Sequence, residues 1–299
     1  MRILITGSNG LLGQKIVRQC LKNNIDFCAT SKGNNRNVDC LSAHYIDMDI
    51  TSDAEVKSVF EIYRPTHVIH TAAMTNVDQC ELEPLACKEI NTTSVERLFR
   101  ISKSFNAHFQ LLSTDFVFDG EAGNYSEDDM VNPLSAYARS KVDAENILLA
   151  DESGNWSIAR TIIVYGEGHQ LTRSNIVLWA VAALRKGDPL NIVDDQFRAP
   201  TWADDLAWAC IQICRKNEKG IYHLCGPETF SIYEMVCRIA TYLGISTEGI
   251  NRVQTNTLTQ PAKRPAKTGF NLSKSRKQLG YAPKTLEATL ALMQTISNK

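Results

Sequence analysis

The chain has 299 residues, enough for one substantial α/β domain with a smaller appendage, and its 43% apolar and 22% charged residues exclude a disordered, collagen-like or membrane-embedded protein. A net charge of −1, with the basic residues scattered, gives no field that would gather nucleic acid or an anionic membrane. No apolar run reaches the ~18 residues a membrane span needs, and the N-terminal MRILITG enters a strand and a glycine turn without a leader, so a cytoplasmic protein is expected.

Short apolar runs alternate with longer amphipathic ones. Strand Arg2 to Thr6 precedes helix Leu11 to Lys22; strand Ile25 to Thr30 and strand Tyr45 to Asp47 precede helix Asp53 to Tyr63; strand His67 to His70 precedes helix Pro84 to Ser104. Ala107 to Leu112, Pro133 to Ala150 and Trp156 to Thr161 continue the rhythm. Continuous apolar strands separated by helices predict an α/β fold, a Rossmann-type doubly wound parallel sheet. After Gly166 the order loosens: helix Ser174 to Lys186, strand Leu190 to Val193, helix Trp202 to Cys214, and strand Gly220 to Leu224 returning to the sheet. Ser231, three residues before Glu234, marks a capping box. The expected division is a nucleotide-binding domain of 1–165 plus about 201–224, and a smaller discontinuous C-terminal α/β substrate domain of about 166–200 plus 225–299.

Nine cysteines stand at Cys20, Cys28, Cys40, Cys80, Cys87, Cys210, Cys214, Cys225 and Cys237, with no CxxC pair, so zinc-ribbon spacing is absent. Most lie in apolar periodic segments, where a free thiol behaves as a small hydrophobe, and all nine are read as inert. No metal site is expected. His67 and His70 face opposite sides of their strand, and His44, His108, His169 and His223 have no ligand spacing.

The string TGSNGLLG follows the first strand and opens the first helix. Gly7 permits the tight turn, Gly10 lets backbone N–H groups approach a pyrophosphate, and Gly13 lets helix and strand pack closely, with the helix N-terminus facing the anion. Asn9, Leu11 and Leu12 complete this expected dinucleotide site. The second strand ends Thr30, Ser31, Lys32, Gly33, Asn34, Asn35, with no carboxylate for a free ribose 2′-hydroxyl. Ser31, Lys32 and Arg36 suit a 2′-phosphate instead, so NADP(H) is the expected cofactor and NAD(H) the alternative. Asp49 and Ile50 are placed to bracket an adenine, and Ala72, Ala73 and Met74 end the fourth strand where a ribose would lie.

Among nine tyrosines only Tyr137 has a lysine four residues later, Lys141, a spacing that puts both on one helix face. A nearby ammonium brings a phenol toward the range in which it can protonate a carbonyl. Thr114, in LLSTDFVFDG at the end of the fifth strand, has a hydroxyl that can donate to the same oxygen. Together they would steady an alkoxide forming as hydride arrives.

These motifs make the chain resemble an extended short-chain dehydrogenase/reductase of the dTDP-4-dehydrorhamnose reductase family, carried by TGSNGLLG, TAAMTNVDQCE, STDFVFDG, YARSK, VDDQFRAPTWADDLA and KRPAKTGFNLSK over nearly the whole length. The resemblance implies that Thr114, Tyr137 and Lys141 reduce the C4 carbonyl of a nucleotide-linked deoxysugar. Lys141 would also hold the nicotinamide ribose, and Asn91 would support a proton relay. It points to Thr75, Asn76, Val77, Asn175, Gln196, Phe197 and Arg198 for the sugar, with Arg264 approaching the diphosphate; a partner for Asp194 or Asp195 is the other role open to Arg198. The implied partners are the nucleotide sugar and a second copy of the chain. Two departures stand out: Ile163 where the family commonly carries tryptophan, and Arg198 where it carries glycine. Phe116 replaces the glutamate of the related dehydratases. The alternatives are a nucleotide-sugar epimerase and a non-catalytic NAD(P)-binding subunit resembling the β subunit of methionine adenosyltransferase.

Overall fold

The structure, a computed structural model, describes residues 1–293. In chain order its first half comprises β1 (Arg2–Thr6), α1 (Leu11–Lys22), β2 (Asp26–Ser31), β3 (Tyr45–Asp47), α2 (Asp53–Tyr63), β4 (His67–His70), α3 (Val77–Leu82), α4 (Pro84–Lys88), α5 (Ser94–Ser104), β5 (His108–Thr114), α6 (Ala136–Leu149) and β6 (Trp156–Thr161). There follow β7 (Val164–Tyr165), α7 (Ile176–Lys186), β8 (Leu190–Val193), β9 (Phe197–Arg198), β10 (Thr201–Trp202), α8 (Ala203–Lys216), β11 (Gly220–Leu224), β12 (Phe230–Ser231), α9 (Ile232–Leu243), β13 (Ile250–Val253), α10 (Ser273–Leu279) and α11 (Leu286–Leu290).

The main sheet has seven parallel strands in the order β11-β6-β5-β4-β1-β2-β3, so the strand order reverses between β1 and β4. Ligands of open α/β sheets bind beyond the C-terminal ends of the strands at such a reversal. Both faces are covered, as the unbroken apolar strands require. Ile3 and Ile5 of β1 pack with Ile16, Val17, Leu206 and Cys210 of α1 and α8. Leu4 faces the other way, with Val56 and Phe60 of α2 and Leu98 of α5. Each such fully buried aliphatic side chain contributes roughly 1.5–3 kcal/mol.

Beyond the sheet, α7 and α9 pack against the parallel pair β8–β13, around a separate core that includes Val177, Ile192, Val236 and Leu290. Two elements depart from the sequence expectation. The segment Pro84 to Ser104 is not one α-helix: Glu89–Thr93 forms a π-turn between α4 and α5 that carries Asn91, a local widening found often at functional sites. Helix α6 begins at Ala136 rather than Pro133, because the Ser135 hydroxyl accepts from the Ala138 N–H at 3.3 Å and fixes the start. The Ser231 cap forms as its spacing implies, accepting from Glu234 N–H at 3.0 Å.

Candidate active site

The glycine turn sits at the sheet's reversal point. Gly7 has φ +71°, and a Cβ there would lie 2.6 Å from the Ala72 nitrogen; one on Gly13 would lie 2.4 Å from the Gly7 carbonyl oxygen. Close approach therefore demands glycine at both places. The Asn9 side chain donates to Asn34 O at 2.9 Å and accepts from Arg36 N–H at 2.8 Å, tying the turn to the loop after β2. A crevice of about 490 Å³ opens here, lined by Gly7, Asn9, Gly10, Ser31, Lys32, Arg36, Asp49, Ile50, Ala72, Ala73 and Met74, eleven of the residues named from sequence, together with Thr71. Leu11, Leu12, Gly13, Asn91, Tyr137 and Lys141 are outside its lining; Leu12 packs against the core, and Gly13 lets α1 close on the Gly7–Ser8 turn.

Lys32 and Asp49, assigned to different parts of a cofactor, meet in an ion pair of 2.7 Å. The ammonium holds the Asp49 carboxyl down to about 2. Gln14, which the sequence reading passed over, donates to both Asn9 O and His169 O and accepts from His169 N–H at 2.8 Å, bracing the glycine turn against the loop that follows β7.

Strand β5 neighbours β4, so its C-terminal Thr114 lies one strand from the crevice. Thr114 Oγ1 donates to Asp115 Oδ1 at 3.1 Å and accepts from Phe116 N–H at 3.2 Å, and the Tyr137 ring beside it meets Phe116 edge-on at 6.1 Å. Helix α6 presents Tyr137, Lys141 and Glu145 at successive turns. Burial pushes the Tyr137 phenol above its ordinary range. Lys141 is buried, donates to Leu112 O at 2.6 Å, and is brought down to about 8 by desolvation. The expectation that Lys141 draws the phenol downward thus differs from the geometry, where burial dominates and the ammonium points to a strand carbonyl. Glu145 anchors the helix through a buried bidentate pair with Arg160, at 3.0 and 2.7 Å. Its place four residues after Lys141, one turn along the same helix face, was the readable signal.

Asn91 accepts from Met74 N–H at 2.8 Å, donates to Met74 O at 3.0 Å and reaches Ser140 Oγ at 3.1 Å. Its amide clamps the segment after β4 to helix α6.

Several residues named for the sugar are engaged within the protein. Asn76 caps α3, and Asn175 caps α7 while donating to Gly166 O at 2.7 Å. Gln196 donates to Thr255 Oγ1 at 2.9 Å. Thr75 and Phe197 are exposed, and Val77 is partly buried at the start of α3. Arg264 closes on Asp78 with both ends of its fork. Arg198 does not pair with Asp194 or Asp195, which bind Gln254 and Thr255. It is buried, donates to the carbonyls of Phe197, Pro265 and Ala266, and lies 3.8 Å from Asp115. Burial raises the Asp115 carboxyl, opposed by Arg198 and by the hydroxyls of Thr268 and Thr114. Ile163, a β-branched residue, holds φ +36° just past β6, its carbonyl fixed by Thr201 N–H at 3.1 Å. Such a backbone is strained and persists only where its surroundings enforce it. No cluster of potential metal ligands exists among the described residues.

The model of the RmlD substrate binding domain family matches residues 1–298. The chain belongs to that family. Among relatives of this RmlD-family chain is the dTDP-4-dehydrorhamnose reductase of Aggregatibacter actinomycetemcomitans, 30% identical over 97% of each chain. Methionine adenosyltransferase 2 subunit beta of Xenopus laevis is 29% identical over 80% of this chain and 71% of its own. The crystal structure of dTDP-4-dehydrorhamnose reductase from Bacillus anthracis in complex with NADP superposes with a TM-score of 0.83, at 25% identity over 98% of each chain. The RmlD-family assignment accords with the Rossmann-type sheet and places the chain among oxidoreductase-like proteins.

Proposed function

We propose that the protein reduces the 4-keto group of a nucleotide-linked deoxysugar with NADPH, and with NADH as the lesser donor. The observation that carries this reading is the placement of Tyr137 and Thr114 beside a glycine-cradled crevice at the reversal of the sheet. The crevice fits a dinucleotide. Gly7 and Gly13 leave room for close backbone approach, and Lys32 and Arg36 stand on its wall where a 2′-phosphate would be met.

Bound NADPH would supply the hydride. Tyr137 would donate its proton to the carbonyl oxygen as negative charge develops there, and Thr114 would donate a hydrogen bond to the same oxygen. The elevated phenol suits reduction, because the proton must be present at neutral pH before it can be given. Lys141 would leave the Leu112 carbonyl for the nicotinamide ribose, bringing its charge toward Tyr137. Arg264 would take the diphosphate once Asp78 releases it. We assign 1–165 with about 201–224 to the cofactor, and about 166–200 with 225–299 to the sugar.

The test is incubation with NADPH and a panel of nucleotide-linked 4-keto sugars, followed by absorbance of the reduced nicotinamide. Consumption of NADPH with one member supports the reading. Tightly retained NAD with no net consumption would favour an epimerase. Absence of oxidation, with copurification of a synthetase, would favour the partner-subunit role suggested by the likeness to methionine adenosyltransferase 2 subunit beta.

A further inference from the structure

Arg198 is almost wholly withdrawn from solvent, at 2% exposed. A guanidinium taken out of water must find acceptors for its N–H groups, or its burial is strongly unfavourable. Here it finds three carbonyls: Nη1 donates to Phe197 O at 2.7 Å and to Ala266 O at 3.1 Å, and Nη2 donates to Pro265 O at 2.6 Å. Nε lies 3.8 Å from Asp115 Oδ2, and the guanidinium stands over the Phe116 ring, 5.6 Å from its centroid. One side chain therefore joins β9, the segment that begins at Pro265 and the turn that ends β5.

The segment it holds runs on directly from Arg264. Phe197 N–H donates to Ala266 O at 2.8 Å and Thr268 N–H donates to Phe197 O at 3.0 Å, so the segment lies along β9 as a short parallel bridge. Lys267 N–H in turn donates to Gly120 O at 3.1 Å, and a Cβ on Gly120 would lie 2.6 Å from the Ala266 nitrogen, so the segment also passes closely over the loop after β5. Thr268 Oγ1 donates to Asp115 Oδ2, the same oxygen that Arg198 faces. Arg264 thus projects from a backbone fixed at the very next residue, whose carbonyl is held in the Arg198 fork. A planar guanidinium binds paired phosphate oxygens only when it arrives in the right orientation, and a long flexible side chain can be aimed only from a fixed backbone.

We propose that Arg198 is a positioning residue, which aims Arg264 at the diphosphate of a nucleotide by locking the backbone of 265–268 between β9 and the end of β5. The inference rests on the diphosphate role of Arg264 proposed above and supplies the residue through which that role is set. Lysine is not equivalent at this place: the acceptors belong to two separate chain segments, and a planar fork spans them where a single ammonium nitrogen does not.

The experiment measures, by calorimetry on the full-length protein, the affinity for whichever of thymidine, uridine, guanosine and cytidine diphosphate the parent binds most tightly, in Arg198→Met, Arg264→Ala and the double variant. Arg198→Met is expected to weaken that affinity roughly tenfold, and to add nothing further in the Arg264→Ala background, because a residue that acts through another loses its effect once the other is gone. Hydrogen–deuterium exchange should quicken about tenfold at the Lys267 and Thr268 amides and stay unchanged in β1. Should Arg198→Met fail to fold, Thr268→Val, which removes only the hydroxyl on Asp115, should show the same pattern to a smaller extent. Equal losses of affinity with and without Arg264 would reveal a general packing role and overturn the proposal, as would unchanged exchange at those two amides. A parent that binds none of the nucleotides would overturn the diphosphate role of Arg264 and the inference with it, whereas full affinity in Arg198→Met would overturn the inference alone.

Discussion

Arg264 grips the Asp78 carboxylate, with 3.1 and 2.7 Å separating the two nitrogens from the two oxygens, and Asp78 also accepts the Ala262 N–H at 3.2 Å. A carboxylate thus occupies the fork that a diphosphate would need, and in the proposed reaction substrate and Asp78 would compete for one guanidinium. Asp78→Asn is expected to lower the KM for the nucleotide sugar a few-fold, and Arg264→Ala to raise it roughly tenfold, or ~1.4 kcal/mol. Steady-state kinetics at fixed NADPH would decide. Equal rises in KM for both variants would make the pair a structural tie alone.

Lys141 gives a pH dependence of defined sign. Its folded value of about 8 lies below the ~10.4 of an unfolded chain. Between those values the unfolded state binds more protons, so this residue makes stability rise with pH over that window. Activity should move the other way, since the ammonium is the useful form: kcat/KM is expected to fall as pH passes about 8. In Lys141→Arg, whose charge persists, that fall should vanish. An unchanged alkaline limb in the arginine variant would assign it to another group.

Gly13→Ala should be costly out of proportion to one methyl group. The added carbon would lie 2.4 Å from the Gly7 carbonyl and 2.6 Å from Ser8 Cα, both backbone positions. A loss of roughly 1–3 kcal/mol is expected from overpacking, read as a lower urea midpoint. Gly33→Ala, where nothing lies within 4 Å but φ is +81°, separates backbone strain from crowding. Equal losses in the two would remove the close-approach explanation for Gly13.

The sheet was legible because period and composition are local: β1, α2, β4, β8 and β11 fall on the residues their patterns mark. So were the crevice residues, since the glycine turn and strand ends are contiguous motifs. Long-range pairing was less so. That Arg198 faces Asp115, that Arg264 faces Asp78 and that Lys32 faces Asp49 depends on which loops the fold brings together, and no spacing encodes it. The π-turn at Asn91 was hidden for a different reason: its buried positions are the polar Asn91 and Thr92, and no glycine or proline within Glu89–Thr93 marks a break in the helix. Eight of the nine cysteines are buried, as their apolar context implies, but the contact of Cys87 with Ser140, more than fifty residues away, is another long-range pairing that no spacing encodes.

Lys32 is exposed and paired with Asp49, so a 2′-phosphate would offer it a second, stronger anion. Lys32→Ala is expected to cut kcat/KM for NADPH roughly tenfold and to leave NADH nearly unchanged. Parallel losses with both cofactors would remove Lys32 from 2′-phosphate recognition.

In the proposed reaction Tyr137 gives a proton to a carbonyl while a dinucleotide fills the neighbouring crevice. The decisive measurement is turnover of Tyr137→Phe with NADPH and the nucleotide-linked 4-keto sugar that serves the parent enzyme, alongside the Kd for NADPH. Loss of the hydroxyl should lower kcat by about 10²–10⁴-fold and leave the Kd nearly as it was. Turnover close to the parent's would show that another group supplies the proton and would contradict the account.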